Sequence, residues 1–467
     1  MYRDQLTWLK QWAKRKTHKP LVIRGARQVG KSTLVSLFAE QEGYDLVLLN
    51  FERNPEYMDA FNQSDPVSIV NTLSLLLGRS IEPGKSLLFL DEVQVKPEIL
   101  GVLRYFYEEM PALHVIAAGS LLDFEMVAPT FSMPVGRISY LHMGPMNFTE
   151  FLRALGDDNL ADYVSSWQIE QEIPPSIHAK LMLRLRQNMA VGGMPEAVAA
   201  FAESENYKLC EEVKQDLLGT FSDDFAKYAK QNDHDLIRQA FRKTPAIIGR
   251  KVKYSEINPD KKAADVSRVL DQLGLARVVT KVLRCAANGL PLSAEESDKF
   301  FKLLFLDTGL VSTLLNLSYQ ALQEEDLLQV NSGALAEQWV GQVLLNSLDS
   351  HEQPFLHYWA REQRSSTAEI DYIIEAKGRV MPVEVKAGKS GSLKSLQVFL
   401  QEKNSNFAVR FNADQPSLMH ASHQLPDQSV KDYDLLSLPL YMAGECHRLL
   451  QTLEISAIEM KNASHKE

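Results

Sequence analysis

The sequence predicts an α/β protein of several domains: a phosphate-loop parallel sheet with a helical lid, a winged helix, and a C-terminal α/β unit. Three observations lead there. The chain has 467 residues, 45% hydrophobic and 24% charged, an ordinary globular composition and too long for one core. A glycine-rich loop lies between an apolar strand and a helix close to the N-terminus. Beyond residue 325 the elements run helix, three strands, helix, strand. The limits expected are 1–150 for the sheet, 151–235 for the lid, 236–318 for the winged helix, 325–445 for the C-terminal unit and 446–467 for a tail.

The loop follows the β-branched run Leu21 to Ile23 and consists of Gly25, Ala26, Arg27, Gln28, Val29, Gly30, Lys31 and Ser32, with Thr33 opening a helical pattern. This is the G-x-x-x-x-G-K-[ST] spacing in its strand–loop–helix setting. The glycines let backbone N–H groups curl around a phosphate, and the helix N-terminus adds its positive end. Lys31 is expected to bridge the β- and γ-phosphates of ATP, and Ser32 to hold Mg²⁺. A second strand, "SLLFLDEVQ", ends in Asp91-Glu92. Asp91 suits a Mg²⁺ anchor, and Glu92 a base that orients and deprotonates the attacking water. A third, "LHVIAAGSLLDF", ends at Gly119-Ser120. Ser120 either reaches the γ-phosphate or the lytic water, or caps the helix that follows. The chemistry implied is hydrolysis.

In "PVGRISYLHMGPMNFTEFL", Arg137 precedes an apolar strand and is the first candidate for an arginine that stabilises transition-state charge. Arg27, inside the loop, is the second. A finger reaching in from a neighbour would make the protein a homo-oligomer. Residues 150 to 235 read as helices, with Gly192-Gly193 ending one and Pro195 opening the next. From 236 to 286 the order becomes helix, turn, helix and strand, as in a winged helix. Between 250 and 284 nine Lys/Arg stand against four Asp/Glu, in a chain whose net charge is −10. That local excess makes the segment a candidate for DNA phosphates. A winged helix serves equally as a protein-contact module. Asp307 reads as a helix N-cap.

In the C-terminal unit, "EIDYIIEAKGRVMPVEVKAG" reads as a hairpin turning at Lys377-Gly378. A two-residue turn puts Ala376 opposite Arg379, and therefore Asp371 opposite Glu384 with Cβ atoms about 4.5–5.5 Å apart. Lys386, two residues on, shares their face. Facing like charges need a cation between them. Upstream, Glu337 lies on a helical face with Gly333, Val340 and Leu344, where a carboxylate needs a partner.

This order, with Glu337, Asp371, Glu384 and Lys386 at the matching positions, resembles the PD-(D/E)xK nuclease core. That resemblance implies acids that bind Mg²⁺ and a lysine that positions the nucleophile or stabilises charge. The chain as a whole resembles the prokaryotic AAA-type predicted ATPases of the AAA+ superfamily with a nuclease-like C-terminal domain of unknown function. "GARQVGKST", "LFLDEVQ", "AAGSLL", "PVGR…MNFTEFL", "GGMPEAV", "FLDTGL" and "AEIDYI…VEVKAG" carry it. It implies nucleotide binding at Gly30, Lys31 and Ser32 and hydrolysis aided by Asp91 and Glu92. "AEID" departs from the Pro-Asp usual in such nucleases.

No apolar run approaches the roughly 18 residues of a membrane span. Cys210, Cys285 and Cys446 lie far apart without metal-ligand spacing, which fits buried thiols and a cytoplasmic setting. Two functions remain open at this level. One is a Mg²⁺-dependent ATPase acting on DNA, with metal-dependent nuclease chemistry at its C-terminus. The other is an ATP-driven switch or oligomeric scaffold whose nuclease-like domain only binds.

Overall fold

The structure, a computed structural model, describes residues 1–127, 134–227, 229, 231–317, 332–348, 351–363, 366–388, 392–424 and 430–453. Its first sheet has five strands: β1 Leu21–Arg24, β2 Asp45–Asn50, β3 Ser86–Asp91, β4 His114–Ala118 and β5 Ser139–His142. They lie in the order β2-β3-β4-β1-β5, and every neighbouring pair is parallel. β3 and β4 are buried along their whole length, which is why their sequences are apolar without alternation. Helices α1 Gln5–Ala13, α2 Lys31–Glu42, α3 Pro66–Leu77 and α4 Ile99–Glu109 cover the sheet, and a short α5, Leu122–Val127, follows β4.

A layer of helices comes next: α6 Phe148–Ala154, α7 Asp158–Ser166, α8 Pro175–Val191, α9 Pro195–Ser204 and α10 Tyr207–Asp224. A capping box of Asn147 and Glu150 starts α6. Glu150 also holds Arg3 at 3.1 Å, and Arg3 donates to the carbonyl of Val29 at 2.7 Å. The N-terminal segment therefore braces the glycine-rich loop from behind.

Three helices, α11 His234–Ile247, α12 Tyr254–Ile257 and α13 Ala263–Leu275, precede the hairpin of β6 Val279–Cys285 and β7 Glu296–Phe305. Then come α14 Thr308–Leu314 and α15 Ser332–Ser347. The remaining strands are β8 His357–Gln363, β9 Ser366–Ala376, β10 Arg379–Val385, β11 Phe407–Asn412, β12 Ser417–Gln424 and β13 Val430–Pro439. Helix α16, Lys394–Glu402, joins β10 to β11, and α17, Cys446–Thr452, closes the described chain.

The hairpin β6–β7 does not stand apart. One eight-stranded sheet runs β12-β13-β11-β10-β9-β8-β6-β7, joined where Leu283 and Arg284 of β6 pair in parallel with His357 and Tyr358 of β8. The units expected at 236–318 and 325–445 therefore share a sheet. The physical reason is an open strand edge: β6 offers unpaired backbone groups on its far side, and β8 takes them. Residues 318–331, where that boundary was drawn, lie outside the described residues. The expected tail also differs. Cys446, Leu449 and Leu450 recur at helical spacing and are buried, so α17 packs onto the domain, while 454–467 lie outside the described residues.

Asp307 does cap its helix, accepting from the Leu310 N–H at 3.2 Å. It is also fully buried and accepts from the Gly193 N–H at 2.7 Å and from Gln342 Nε2 of α15 at 3.2 Å. The turn between α8 and α9, the start of α14 and the helix of the C-terminal unit thus meet on one carboxylate.

Candidate active site

The glycine-rich loop runs from the end of β1 into α2. Gln28 and Gly30 both take left-handed backbone angles, φ 62° and 92°, which aim successive N–H groups inward. Lys31 is buried and donates from Nζ to the carbonyls of Gly25 at 3.0 Å and Ala26 at 2.8 Å. Ser32 Oγ donates to Asp91 Oδ2 at 3.0 Å, so the hydroxyl and the acid expected to share Mg²⁺ are already neighbours. Burial pushes the Asp91 carboxyl up, an effect that the Ser32 bond opposes.

Glu92 has a left-handed backbone, φ 55°, although it carries a side chain. Such a conformation costs about 1–3 kcal/mol and persists where surroundings enforce it. Gln94 supplies part of that enforcement, donating from Nε2 to Glu92 Oε2 at 2.6 Å. Gln94 also packs against Gly119, where a Cβ would collide with its side-chain oxygen. Ser120 Oγ is buried and, among the described residues, makes no hydrogen bond, capping or other. A buried hydroxyl without a partner, beside Lys31, Asp91 and Glu92 at the carboxyl ends of parallel strands, fits a Mg²⁺–nucleotide site.

The two arginines stand elsewhere. Arg137 precedes β5, whose first rung pairs Ser139 with Leu21, whereas the glycine-rich loop follows Arg24 at the far end of β1. At roughly 3.3 Å per residue, a full strand length separates Arg137 from its own loop. It is 49% exposed and bonded to Glu108 at 2.7 Å. Arg27 is turned toward α10, with Nε 2.6 Å from Asp224 Oδ2. Arg137 thus stands away from its own glycine-rich loop, and Arg27 is paired with Asp224.

The C-terminal hairpin has the expected register. Lys377 and Gly378 both have positive φ, 52° and 68°, as a two-residue turn matching strand twist requires. Ala376 pairs with Arg379, and the ladder runs on to Tyr372 and Val383. Asp371 Oδ2 accepts from the Val385 N–H at 2.8 Å, and Lys386 Nζ lies 2.5 Å from Glu384 Oε1. Glu337 reaches the same face from α15, which the Tyr372 hydroxyl anchors by donating to the Glu337 carbonyl at 2.7 Å.

What stands among these acids is an ammonium group. Lys302 of β7 is 2% exposed, with Nζ 2.9 Å from Glu337, 2.5 Å from Glu369 and 3.8 Å from Asp371. Burial opposes its charge, but Glu337, Asp371 and Glu369 together hold its pKa above the ordinary lysine value. Burial pushes Glu337 and Glu384 up to about 7. Among the described residues no three His, Cys, Asp or Glu side chains are arranged to hold a metal ion. Of the expected metal set, Glu337 and Asp371 both face Lys302, and Glu384 faces Lys386.

Three family matches divide the chain. Residues 182–321 and 332–439 match two domains of unknown function, DUF8612 and DUF4143, and residues 17–152 match the AAA domain. Residues 17–152 are an AAA domain. The ORC2 protein of Aeropyrum pernix, solved as ADPNP–ADP complexes, is 14% identical with a TM-score of 0.32, over 68% of this chain and 95% of that one. AMPPCP-bound DnaA from Aquifex aeolicus is 14% identical with a TM-score of 0.24, over 59% of this chain and 89% of that one. Likenesses this slight say nothing about what this chain does. No protein of curated function matches the sequence.

Around the AAA domain, several residues emerge only from the structure. Arg3 and Gln94 act through contacts remote in sequence. Arg277, in the turn before β6, bonds Asp123 of α5 at 2.5 Å, and Arg24 of β1 bonds the same carboxylate. Between them they tie the β6–β7 hairpin to the sheet. The basic excess of 250–284 is partly consumed in this way: Arg268 meets Asp233 and Asp265, Arg277 meets Asp123, and Lys281 meets Asp271. Lys302 had one sequence signal, a charge inside the apolar run Phe300 to Phe305.

Burial lowers Lys31 to about 8, against the pull of Glu92 and Asp91. The unfolded chain, with Lys31 at 10.5, holds this proton more tightly. The group's cost to folding is therefore present at neutral pH and relieved as pH rises from about 8 to 10.5. Phosphate binding selects the ammonium form. ATP affinity is expected to be flat below pH 8 and to weaken above it, by up to about tenfold per pH unit. Equilibrium binding of a fluorescent ATP analogue measures this, and a profile flat through alkaline pH contradicts it.

Proposed function

We propose that this protein is a Mg²⁺-dependent ATPase whose nucleotide cycle drives a DNA-contacting switch. The observation that carries the reading is the Ser32–Asp91 pair at 3.0 Å, set beside buried Lys31 and the constrained Glu92. Mg²⁺, held by Ser32 and Asp91, would neutralise phosphate charge. Lys31 supplies a positive charge to the β- and γ-phosphates, and the loop N–H groups cradle them. Glu92, fixed by Gln94, orients the water and takes its proton. Ser120 offers its hydroxyl to the γ-phosphate or that water.

Arg137 lies at the strand end opposite its own loop and is half-exposed, so it serves only a neighbouring copy. This favours a homo-oligomer with shared sites. The helices α11 to α13 and the β6–β7 hairpin have the order of a winged helix. Three cations surround the Phe300 ring there: Lys251 at 4.2 Å, Arg284 at 4.3 Å and Lys299 at 5.5 Å from its centroid. A cationic surface braced by an aromatic ring suits a nucleic-acid backbone better than an acidic protein's scattered charge. The second reading, a switch whose C-terminal domain binds without cutting, is favoured over nuclease chemistry by Lys302 among the acids.

Glu92→Gln is expected to keep ATP affinity and lose turnover by about 100-fold or more, read by phosphate release. Unchanged turnover would remove Glu92 from the mechanism. Arg137→Ala and Lys31→Ala chains, each inactive alone, are expected to regain partial activity when mixed, since one keeps the pocket and the other the finger. No recovery on mixing argues against a shared site. Lys251→Ala and Arg284→Ala are each expected to weaken DNA binding across sequences and to reduce the salt slope by about 1. Unaltered binding would shift the winged helix to a protein-contact role.

A further inference from the structure

Four carboxylates converge on one face of the C-terminal sheet: Glu337 from α15, Glu369 and Asp371 from β9, and Glu384 from β10. Glu337, Asp371 and Glu384 are largely buried, with Glu369 at the rim, and carboxylates so placed need positive charge among them. Two lysines provide it. Lys386 takes one oxygen of Glu384, and Lys302 lies within 4 Å of Glu337, Glu369 and Asp371 together. Lys302 comes from β7, outside the stretch 332–439 that matches the domain of unknown function. The acids and their counter-ion thus belong to different matched units of the chain.

We propose that Lys302 is the built-in cation of this cluster, occupying the position a divalent metal would take and excluding it. A metal ion coordinated by Glu337 and Asp371 would need the oxygens that Lys302 engages, and two cations in that space would repel each other. Among the described residues Glu384 Oε2 is buried without a hydrogen-bond partner, so the cluster retains acceptor capacity beyond what its lysines use. A cavity of about 550 Å³, lined by Pro245, Gly249, Arg250, Leu315, Ala334 and Glu337, opens one side of the cluster at Glu337. Removing the Lys302 charge therefore turns a closed ion-pair network into a divalent-cation site. The C-terminal domain works with its metal position filled by its own chain.

The test is Mn²⁺ binding to the full chain without nucleotide, which reads this cluster independently of ATP turnover. Lys302→Met keeps the length of the stem and removes its charge. It is expected to gain one Mn²⁺ per chain over wild type, and Mn²⁺ is expected to raise its melting temperature. Both gains should vanish in Lys302→Met with Asp371→Asn, a pair that cancels any Mn²⁺ held by Ser32 and Asp91. A folded Lys302→Met chain that takes up no Asp371-dependent Mn²⁺ overturns the proposal. Should Lys302→Met not fold, wild type decides it alone. Mn²⁺ bound by wild type and lost on Asp371→Asn overturns it, and the absence of such a site supports it.

Discussion

A carboxylate cut off from water has to be satisfied by protein groups, and Asp307 draws on three regions for this. Its acceptor sites take the Gly193 N–H from the α8–α9 turn, the Leu310 N–H of its own helix and the Gln342 amide of α15. Gln342 in turn accepts from the Thr308 N–H at 2.8 Å. Withdrawing any one of these elements would strand a buried charge or leave a donor unmade, at about 1–3 kcal/mol for each unsatisfied group. Burial pushes the Asp307 carboxyl up, and the bonds from Gly193, Leu310 and Gln342 oppose that shift. The AAA domain reaches this point as well, because Gly193 packs against the Met146 backbone and Pro195 lies near Gly30. Lid, hairpin and C-terminal sheet thus share one buried carboxylate as well as continuous apolar packing.

The chain contains two clusters of acids and treats them differently. At the nucleotide loop, Asp91 and Glu92 are separated by backbone geometry, each with a neutral neighbour in Ser32 or Gln94. Lys31 there bonds backbone carbonyls and leaves the acids their oxygens. In the C-terminal sheet the acids face one another across a hairpin, and an ammonium is packed among them. The first arrangement keeps a polar set available for a ligand, and the second closes it. Both follow from one rule: nearby carboxylates in a low dielectric need positive charge, and its source decides what else can bind.

What could be read from sequence was whatever depends on neighbours along the chain. The phosphate loop follows from glycine spacing between a strand and a helix. The hairpin register follows from Lys377-Gly378, because a two-residue turn fixes each opposite pair. The contacts that were not legible join distant residues. Lys302 lies 35 residues from Glu337 and finds it through sheet order, which no local pattern encodes. Arg137 was placed near the γ-phosphate because it adjoins a strand of the right sheet, but sequence does not say which end of that strand faces the loop. The division at 318 and 325 failed to anticipate a shared sheet for the same reason. A strand's partner across 70 residues is decided by the edge left exposed once the nearer pairs have formed.

The joint between the two halves of the large sheet is narrow: two residue pairs of β6 and β8, with one further bond from the Leu283 N–H to the Leu356 carbonyl at 3.2 Å. So short a seam contributes little adhesion, yet it hides the margins of both strands. A C-terminal fragment cut free at the family boundary would present β8 with unpaired backbone groups, the kind of border that recruits other chains. The hairpin left behind would have the same fault. The boundary between the second and third family matches thus falls inside a sheet that both matched segments share.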